Sequence, residues 1–254
     1  MCAAAIWVCY AMHPFKKFRV LGNFWQPDWP LFRRLVISGA PIAGTFALEY
    51  GIFAAAGLLM GWISTQALAA HQIALTIASI MFMVPFGISM AATVRVGHAV
   101  GRRDSPGTRS AGFTAIGLGI AFMTTMTLIV SLTREFLPIL FLGSITPENA
   151  PTAALAASLL VLGASFFIAD GIQTVAAGAL RGLNDTRVPL LFSAVCFWLI
   201  GFTACYGLGF TLGFGTFGIW AGLSLSVLIY AVLLVARFHI LTKRGYLPDV
   251  PSAI

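Results

Sequence analysis

The chain of 254 residues is too apolar to be a water-soluble protein. Hydrophobic residues make up 59% of it, charged residues make up 9%, and the mean hydropathy is +0.94. These values predict an all-α integral membrane protein. Fifteen Lys and Arg against eight Asp and Glu give a net charge of +7. We attribute this charge to basic cytoplasmic loops, and expect no nucleic-acid partner because no aromatic and basic residues alternate in a base-stacking pattern.

The first 31 residues are predicted to precede the main membrane region. The apolar run at 1–12 is too short to cross a bilayer. The basic cluster at 13–19 follows this run, whereas a secretory signal carries its charges in front. We therefore expect residues 1–31 to be the tail of a preceding membrane helix with a cytoplasmic linker. A six-span lobe would occupy residues 32–244, and residues 245–254 would form a cytoplasmic tail.

Six apolar stretches are long enough to cross a bilayer core of ~30 Å, which needs ~20 helical residues. They cover residues 35–62, 68–94, 111–133, 153–179, 188–206 and 217–238, and an uncharged glycine-rich loop is expected at 207–215. If the first basic cluster is cytoplasmic, fourteen of the fifteen Lys and Arg residues lie on that side and only Arg134 lies outside. This pattern predicts a multi-pass protein of the inner (plasma) membrane with a cytoplasmic C-terminus.

Two acidic residues lie inside predicted spans. Glu49 is near the middle of the first span, and Asp170 lies in the fourth, four residues or ~6 Å of helical rise beyond the midpoint at Phe166. An ionised carboxylate at such a depth costs about 2.5–3.5 kcal/mol on insertion scales. The pair suggests cation chemistry in a shared cavity, by proton uptake or Na⁺ coordination. The alternative is that each acid is protonated and hydrogen-bonded to a neighbouring helix.

Other side chains carry weaker signals. His71 and Gln72 are expected to form an interfacial pair near the outer end of the second span. A stripe of aromatic and Met residues in the same span is a candidate substrate pocket for flat apolar cations, because aromatic faces attract cations and Met adapts to irregular ligands. Its members are Met81, Phe82, Met83, Phe86 and Met90. Packing against lipid is the alternative role for each of them.

Five motifs in order make the chain recognisable. They are GAPIA at 39–43 followed by Glu49, AAHQIAL at 69–75, VPFGIS at 84–89, RVGHAVG at 95–101 and GALRGLNDTR at 178–187. Together they resemble the multidrug and toxic compound extrusion (MATE) family over about residues 32–244. Members of that family have twelve spans in two six-helix lobes. The chain resembles the second lobe, with the end of the sixth helix ahead of it.

The resemblance implies cation-coupled export of amphipathic, often cationic, compounds by alternating access, with a partner N-terminal lobe that this chain lacks. It makes Asp170 the main coupling site and Glu49 an auxiliary one, with Gln173, Phe166 and Gln72 as candidate supporting residues. Members proposed to bind Na⁺ often have a tyrosine at the position of Phe166. The missing hydroxyl favours H⁺ over Na⁺ as the coupling ion. No cofactor and no metal other than that ion is expected.

Two other functions stay open at this stage. The chain can be a truncated, non-transporting membrane fragment or a scaffold that associates through its glycine faces. It can also resemble a lipid-linked saccharide flippase, although few basic residues lie within the spans to hold a pyrophosphate. An enzyme is not predicted, because the spans contain no nucleophile–base pair and no metal-ligand cluster.

Overall fold

The computed structural model describes residues 28–245. The tail of a preceding helix, predicted within residues 1–31, and the predicted C-terminal tail therefore lie largely outside the described residues. The helices are α1 (Trp29–Ile63), α2 (Thr65–Gly101), α3 (Ser105–Thr133), α4 (Leu137–Leu142), α5 (Ala150–Leu162), α6 (Ala164–Gly182), α7 (Arg187–Thr211) and α8 (Gly215–Lys243). Five of them are long and apolar enough to cross a membrane, and the bent pair α5–α6 makes a sixth span. Within residues 28–245 the prediction of an all-α membrane fold is confirmed, with six candidate spans when the bent pair is counted as one.

Short polar segments separate the first three helices. Ser64 alone divides α1 from α2, and its hydroxyl accepts a hydrogen bond from Ala67 N at 3.0 Å, which caps α2. Asp104 caps α3 in the same way by accepting from Gly107 N at 2.9 Å. Each cap satisfies a backbone N–H that has no partner within its own helix. The breaks between these helices are therefore short, one residue at Ser64 and three residues at 102–104.

The fourth span is bent, which the sequence did not predict. Its two halves, α5 and α6, meet at Gly163 with an angle of 52°. A β carbon on Gly163 would lie 2.9 Å from the indole of Trp220 and 3.1 Å from the ring of Phe167. Only glycine allows these two aromatic side chains to approach the backbone so closely. The aromatic packing therefore fixes the bend at this residue.

The prediction of a loop at 207–215 was largely wrong. Helix α7 contains two π-helical segments, Ala194–Phe202 and Gly207–Thr211, so the fifth span continues beyond residue 206. No charge or proline interrupts residues 190–211, and in an apolar environment the backbone must bond internally. The true break covers residues 212–214, where Gly213 adopts a φ of +75°. The glycines before it allow close packing against α8, since a β carbon on Gly209 would lie 2.8 Å from Ile219.

Helix α6 is the centre of the packing within the compact unit formed by Pro41–Ile254. It contacts α2, α3 and α8, and most of its side chains are buried. The approach to α2 is closest at Gly178, where the hydroxyl of Thr93 donates to the Gly178 carbonyl at 2.9 Å. A β carbon on Gly178 would lie 2.4 Å from the backbone oxygen of Ser89. This close packing holds the polar face of α6 at a fixed position beside α2.

Candidate functional site

An amide side chain joins the two intramembrane acids. Gln173 Nε2 donates to Glu49 Oε1 at 2.7 Å and to Asp170 Oδ1 at 2.9 Å. Asp170 and Gln173 lie three residues apart on α6, so they share one face of that helix. Glu49 reaches them from α1. The structure thus brings together three of the residues that the sequence singled out.

Two of these three side chains are almost completely buried. Asp170 is 6% exposed and Gln173 is 2% exposed, whereas Glu49 is half-buried. Among the described residues, nothing donates to the Oε1 atom of Gln173. Burying a charged or polar group is costly unless it is paired. The structure therefore places two carboxyl groups and an unpaired amide oxygen close together in a largely buried position.

The acids line a cavity of about 310 Å³ that lies between α1, α2 and α6. Glu49, Asp170, Phe166, Gln72, Phe82 and Met83 were singled out from the sequence, and all six line it. The sequence did not indicate the remaining lining residues, which are Phe46, Tyr50, Phe53, Leu75, Thr76, Ala78 and Ser79. The cavity combines an acidic end with aromatic and aliphatic walls. Such a lining suits a flat apolar cation.

A second, smaller cavity of about 40 Å³ lies on the other side of Glu49. Glu49, Phe46 and Phe82 line both cavities, so the carboxyl group of Glu49 stands in the wall between them. The smaller cavity is also lined by Gln173, Arg181 and by Tyr230, whose hydroxyl donates to the Pro189 carbonyl at 3.3 Å. Its volume is enough for about one water molecule. The carboxyl group of Glu49 therefore borders a cavity on each side.

Arg181 belongs to the GALRGLNDTR motif at 178–187 but was not predicted to be a site residue. Helix α6 continues to Gly182, and the Arg181 side chain folds back so that its guanidinium lies 5.6 Å from the ring centre of Phe46. Its Nη2 donates to Ser89 Oγ at 3.2 Å, and its Nε donates to the Ala177 carbonyl at 3.3 Å. The spacing from Gln173 through Ala177 to Arg181 is four residues at each step, which places all three on one helix face. This four-residue spacing was the feature of the sequence that could have placed Arg181 on the same helix face as Gln173.

The aromatic and Met stripe does not act as one surface. Phe82 and Met83 line the larger cavity, and Phe86 contacts Phe82 with ring centres 5.9 Å apart and ring planes tilted by 32°. Met81 points into the protein core, and Met90 is 41% exposed away from the cavity. Met81, Phe82 and Met83 are consecutive and point in directions about 100° apart. Phe82 and Met90, in contrast, share a face but lie about 12 Å apart along the helix axis. Only part of the predicted pocket is thus brought to the acids.

His71 and Gln72 are separated by the same helical geometry. His71 is fully buried, and its Nδ1 accepts a hydrogen bond from Trp220 Nε1 at 3.1 Å. Gln72 points the other way, to the larger cavity. Phe166 lies between the cavity and the core, in edge-on contact with Phe53 and with Trp220, at 5.8 Å between ring centres in each case. The wall beside Asp170 is therefore aromatic.

Comparisons with known proteins agree with this architecture. The MatE family model matches residues 41–207. Over 243 residues, the chain is 60% identical to the probable multidrug resistance protein NorM of Rhodopseudomonas palustris, a match that covers 96% of this chain and 51% of that protein. It is 51% identical over 231 residues to the probable NorM of Bradyrhizobium diazoefficiens, covering 91% of this chain and 49% of that protein. The chain thus spans about half the length of these curated relatives.

A solved structure shows the same fold. The eukaryotic MATE transporter AtDTX14 superposes with a TM-score of 0.79 at 19% sequence identity, covering 95% of this chain and 54% of that one. The superposed half corresponds to one lobe of that transporter, as the sequence predicted. The family model spans the helices that carry Glu49, Asp170 and Gln173. The chain belongs to the MatE family, whose members are membrane transporters and not enzymes.

Proposed function

We propose that this chain is one lobe of a proton-coupled antiporter that exports amphipathic, often cationic, compounds by alternating access. Asp170 is the main coupling residue and Glu49 is the auxiliary one. The relatives are named as multidrug resistance proteins, which supports this class of substrate. The lobe works in the inner membrane with its C-terminus in the cytoplasm, where the positive-inside rule would place the basic loops.

The observation that carries the proposal is the amide bridge between the two acids. Gln173 holds Glu49 and Asp170 against a single –NH₂ group at the wall of a cavity of about 310 Å³. Intramembrane acids that face a cavity mark ion pathways and proton relays. A cationic substrate and a proton both compensate the same negative charge, so their binding is mutually exclusive at this cluster. Such competition is the basis of exchange transport.

Two contacts support H⁺ over Na⁺ as the coupling ion. The Gln173 –NH₂ group occupies the bridging position between the carboxylates, where a metal ion would otherwise lie. Hard cations need several oxygen ligands at short range, and the adjacent wall at Phe166 supplies an aromatic ring without a hydroxyl. A proton needs only one of the two carboxylates. The chemistry of the cluster therefore fits protonation better than metal coordination.

The proposed transporter needs a second six-helix half. In the most hydrophobic stretch of α1, only 17% of the residues are buried within this chain. In the corresponding stretch of α8, 56% are buried. Tyr50 on α1 is 68% exposed although it borders the cavity. Alternating access in transporters of this kind rocks one repeat against another around a central site. The exposed side of α1 and the mouth of the cavity are the surfaces that would meet the other half.

The first experiment measures ethidium efflux from cells that make this chain alone, and from cells that also make a six-span first lobe of a relative. We expect no efflux from the chain alone and restored efflux with both halves, with rates that follow pH and not Na⁺. Robust efflux by the chain alone would contradict the need for a second half. Failure of both, with both chains present in the membrane, would favour the non-transporting alternative.

The second experiment neutralises each of two aspartates in the completed transporter. Asp170→Asn is expected to abolish coupled efflux without reducing the amount of protein in the membrane. Asp185→Asn is the matched control, because it makes the same chemical change at the ion pair with Arg237, 2.8 Å long and away from the cavity. A partly exposed ion pair contributes about 0–1 kcal/mol, so the control should transport normally. Equal transport activity of the two variants would show that Asp170 has a structural role and not a coupling role.

A further inference from the structure

A groove runs between the end of α2 and the start of α3, apart from the acidic cavities. Its volume is about 470 Å³, which lies in the roughly 300–1,000 Å³ range of small-molecule sites. Three basic side chains line one end of it, Arg95, His98 and Arg102. Ile88 and Leu118 line the other end. Nothing in the proposed transport function uses this groove.

The groove has a polarity gradient along the membrane normal. Residues 88, 95 and 102 are seven apart on α2, so they lie on one face of the helix. At 1.5 Å per residue, Ile88 and Arg102 are separated by about 21 Å along the axis. Helix α3 runs back beside it, and Leu118 therefore returns to the apolar end. The groove is cationic at the membrane surface and apolar towards the membrane centre.

The positive charge of the groove is not compensated within residues 28–245. The one ion pair in that range joins Arg237 to Asp185, and no acidic residue lines the groove. Asp104 is the acid nearest in sequence, and its carboxylate accepts a hydrogen bond from Gly107 N to cap α3. Arg95, His98 and Arg102 are all exposed. The cationic end therefore offers several unused donors to an anion.

We propose that this groove binds an anionic phospholipid. The phosphate lies against Arg95 and Arg102, and an acyl chain follows the apolar part towards Ile88 and Leu118. Basic pockets between membrane helices at the polar surface are suited to anionic headgroups, and arginine binds phosphate through paired donors. A free phosphate would satisfy the donors but would leave the apolar half unfilled. The amphipathic shape of the groove therefore favours a lipid.

The test uses the purified full-length chain in neutral detergent. Phosphatidylglycerol is titrated in, and native mass spectrometry counts the lipids that stay bound. We expect Arg95→Gln combined with Arg102→Gln to weaken phosphatidylglycerol binding by about 30-fold, since two surface charges are removed. The matched control, Arg103→Gln combined with Arg109→Gln, removes the same charge from the same loop region. Arg109 lies over the Phe113 ring on another face of α3, so the control should change binding by less than about threefold.

Further arms separate the lipid from other ligands. Ala91→Phe narrows the apolar half without changing the charge, and it is expected to weaken phosphatidylglycerol binding but leave any binding of inorganic phosphate unchanged. Phosphatidylcholine bound as well as phosphatidylglycerol would overturn the proposal, as would equal losses in the two double variants. Competition by inorganic phosphate at similar concentration would make the groove an anion site only. Complete displacement of the lipid by a co-purified first lobe would make it an interface between the two halves.

Discussion

Replacing Gln173 by Leu tests how strongly the amide holds the acid cluster together. Leu has a similar volume, so the change removes the two donated hydrogen bonds, at 2.7 and 2.9 Å, with little change in packing. A hydrogen bond to a charged group contributes about 1.5–3 kcal/mol. Two such bonds give about 3–6 kcal/mol, and we take the lower end because the cavity lets water reach the released carboxylates. The expected loss of unfolding free energy is therefore about 3 kcal/mol.

The assay is a double-mutant cycle on the thermal unfolding of the purified chain. Gln173→Leu alone should lower Tm by roughly 6–12 °C, at about 2–4 °C per kcal/mol for a chain of this size. In a background that carries Glu49→Gln and Asp170→Asn, the same change should cost much less, because neutral acceptors bind the amide more weakly. Gln72→Leu is the control, since this amide lines the cavity but is exposed. An equal cost of Gln173→Leu in both backgrounds would refute the charge-assisted bridge.

Two further predictions concern packing around the site. Gly178→Ala should destabilise the chain by about 1–3 kcal/mol, because the added β carbon would lie 2.4 Å from the Ser89 carbonyl oxygen and neither backbone can move away. Gly117→Ala is the control, since no atom lies within 4 Å of a β carbon at that position. An equal change in Tm for the two variants would contradict this steric argument. Trp220→Phe should cost about 1–3 kcal/mol, because it leaves the buried Nδ1 of His71 without its donor; unchanged thermal unfolding would show that the bond is not needed.

Hydropathy predicted the spans because each must present an apolar surface to lipid. It did not predict the bend at Gly163, since bent and straight spans have the same composition, and the cause lies in Trp220 on a helix far away in the sequence. The loop at 207–215 was overpredicted for a related reason. Glycine breaks helices in water, but between apolar helices it allows close contact while the backbone stays hydrogen-bonded. Local propensity was overridden by packing in both places.

The candidate site was predictable where single residues stood out from an apolar background. Glu49 and Asp170 did so, and the structure brings both to Gln173. Arg181 did not stand out, because a guanidinium near a helix end is usually solvent-exposed. Only the structure shows that its side chain folds back over Phe46. Which members of the Met and aromatic stripe reach the cavity depended on the rotation of α2. Sequence alone does not specify that rotation.

The bend in the fourth span has a mechanical consequence. For the bend at Gly163 to act as a hinge, there would have to be empty space on the side towards which it closes. That space is filled by the indole of Trp220 from α8. The indole is in turn fixed by His71 from α2. The corner therefore acts as a brace, and α2, α5, α6 and α8 should turn together as a single block. In the proposed transport cycle Asp170 would stay fixed within this block, and movement of α1 relative to the block would determine which side of the membrane has access to Asp170.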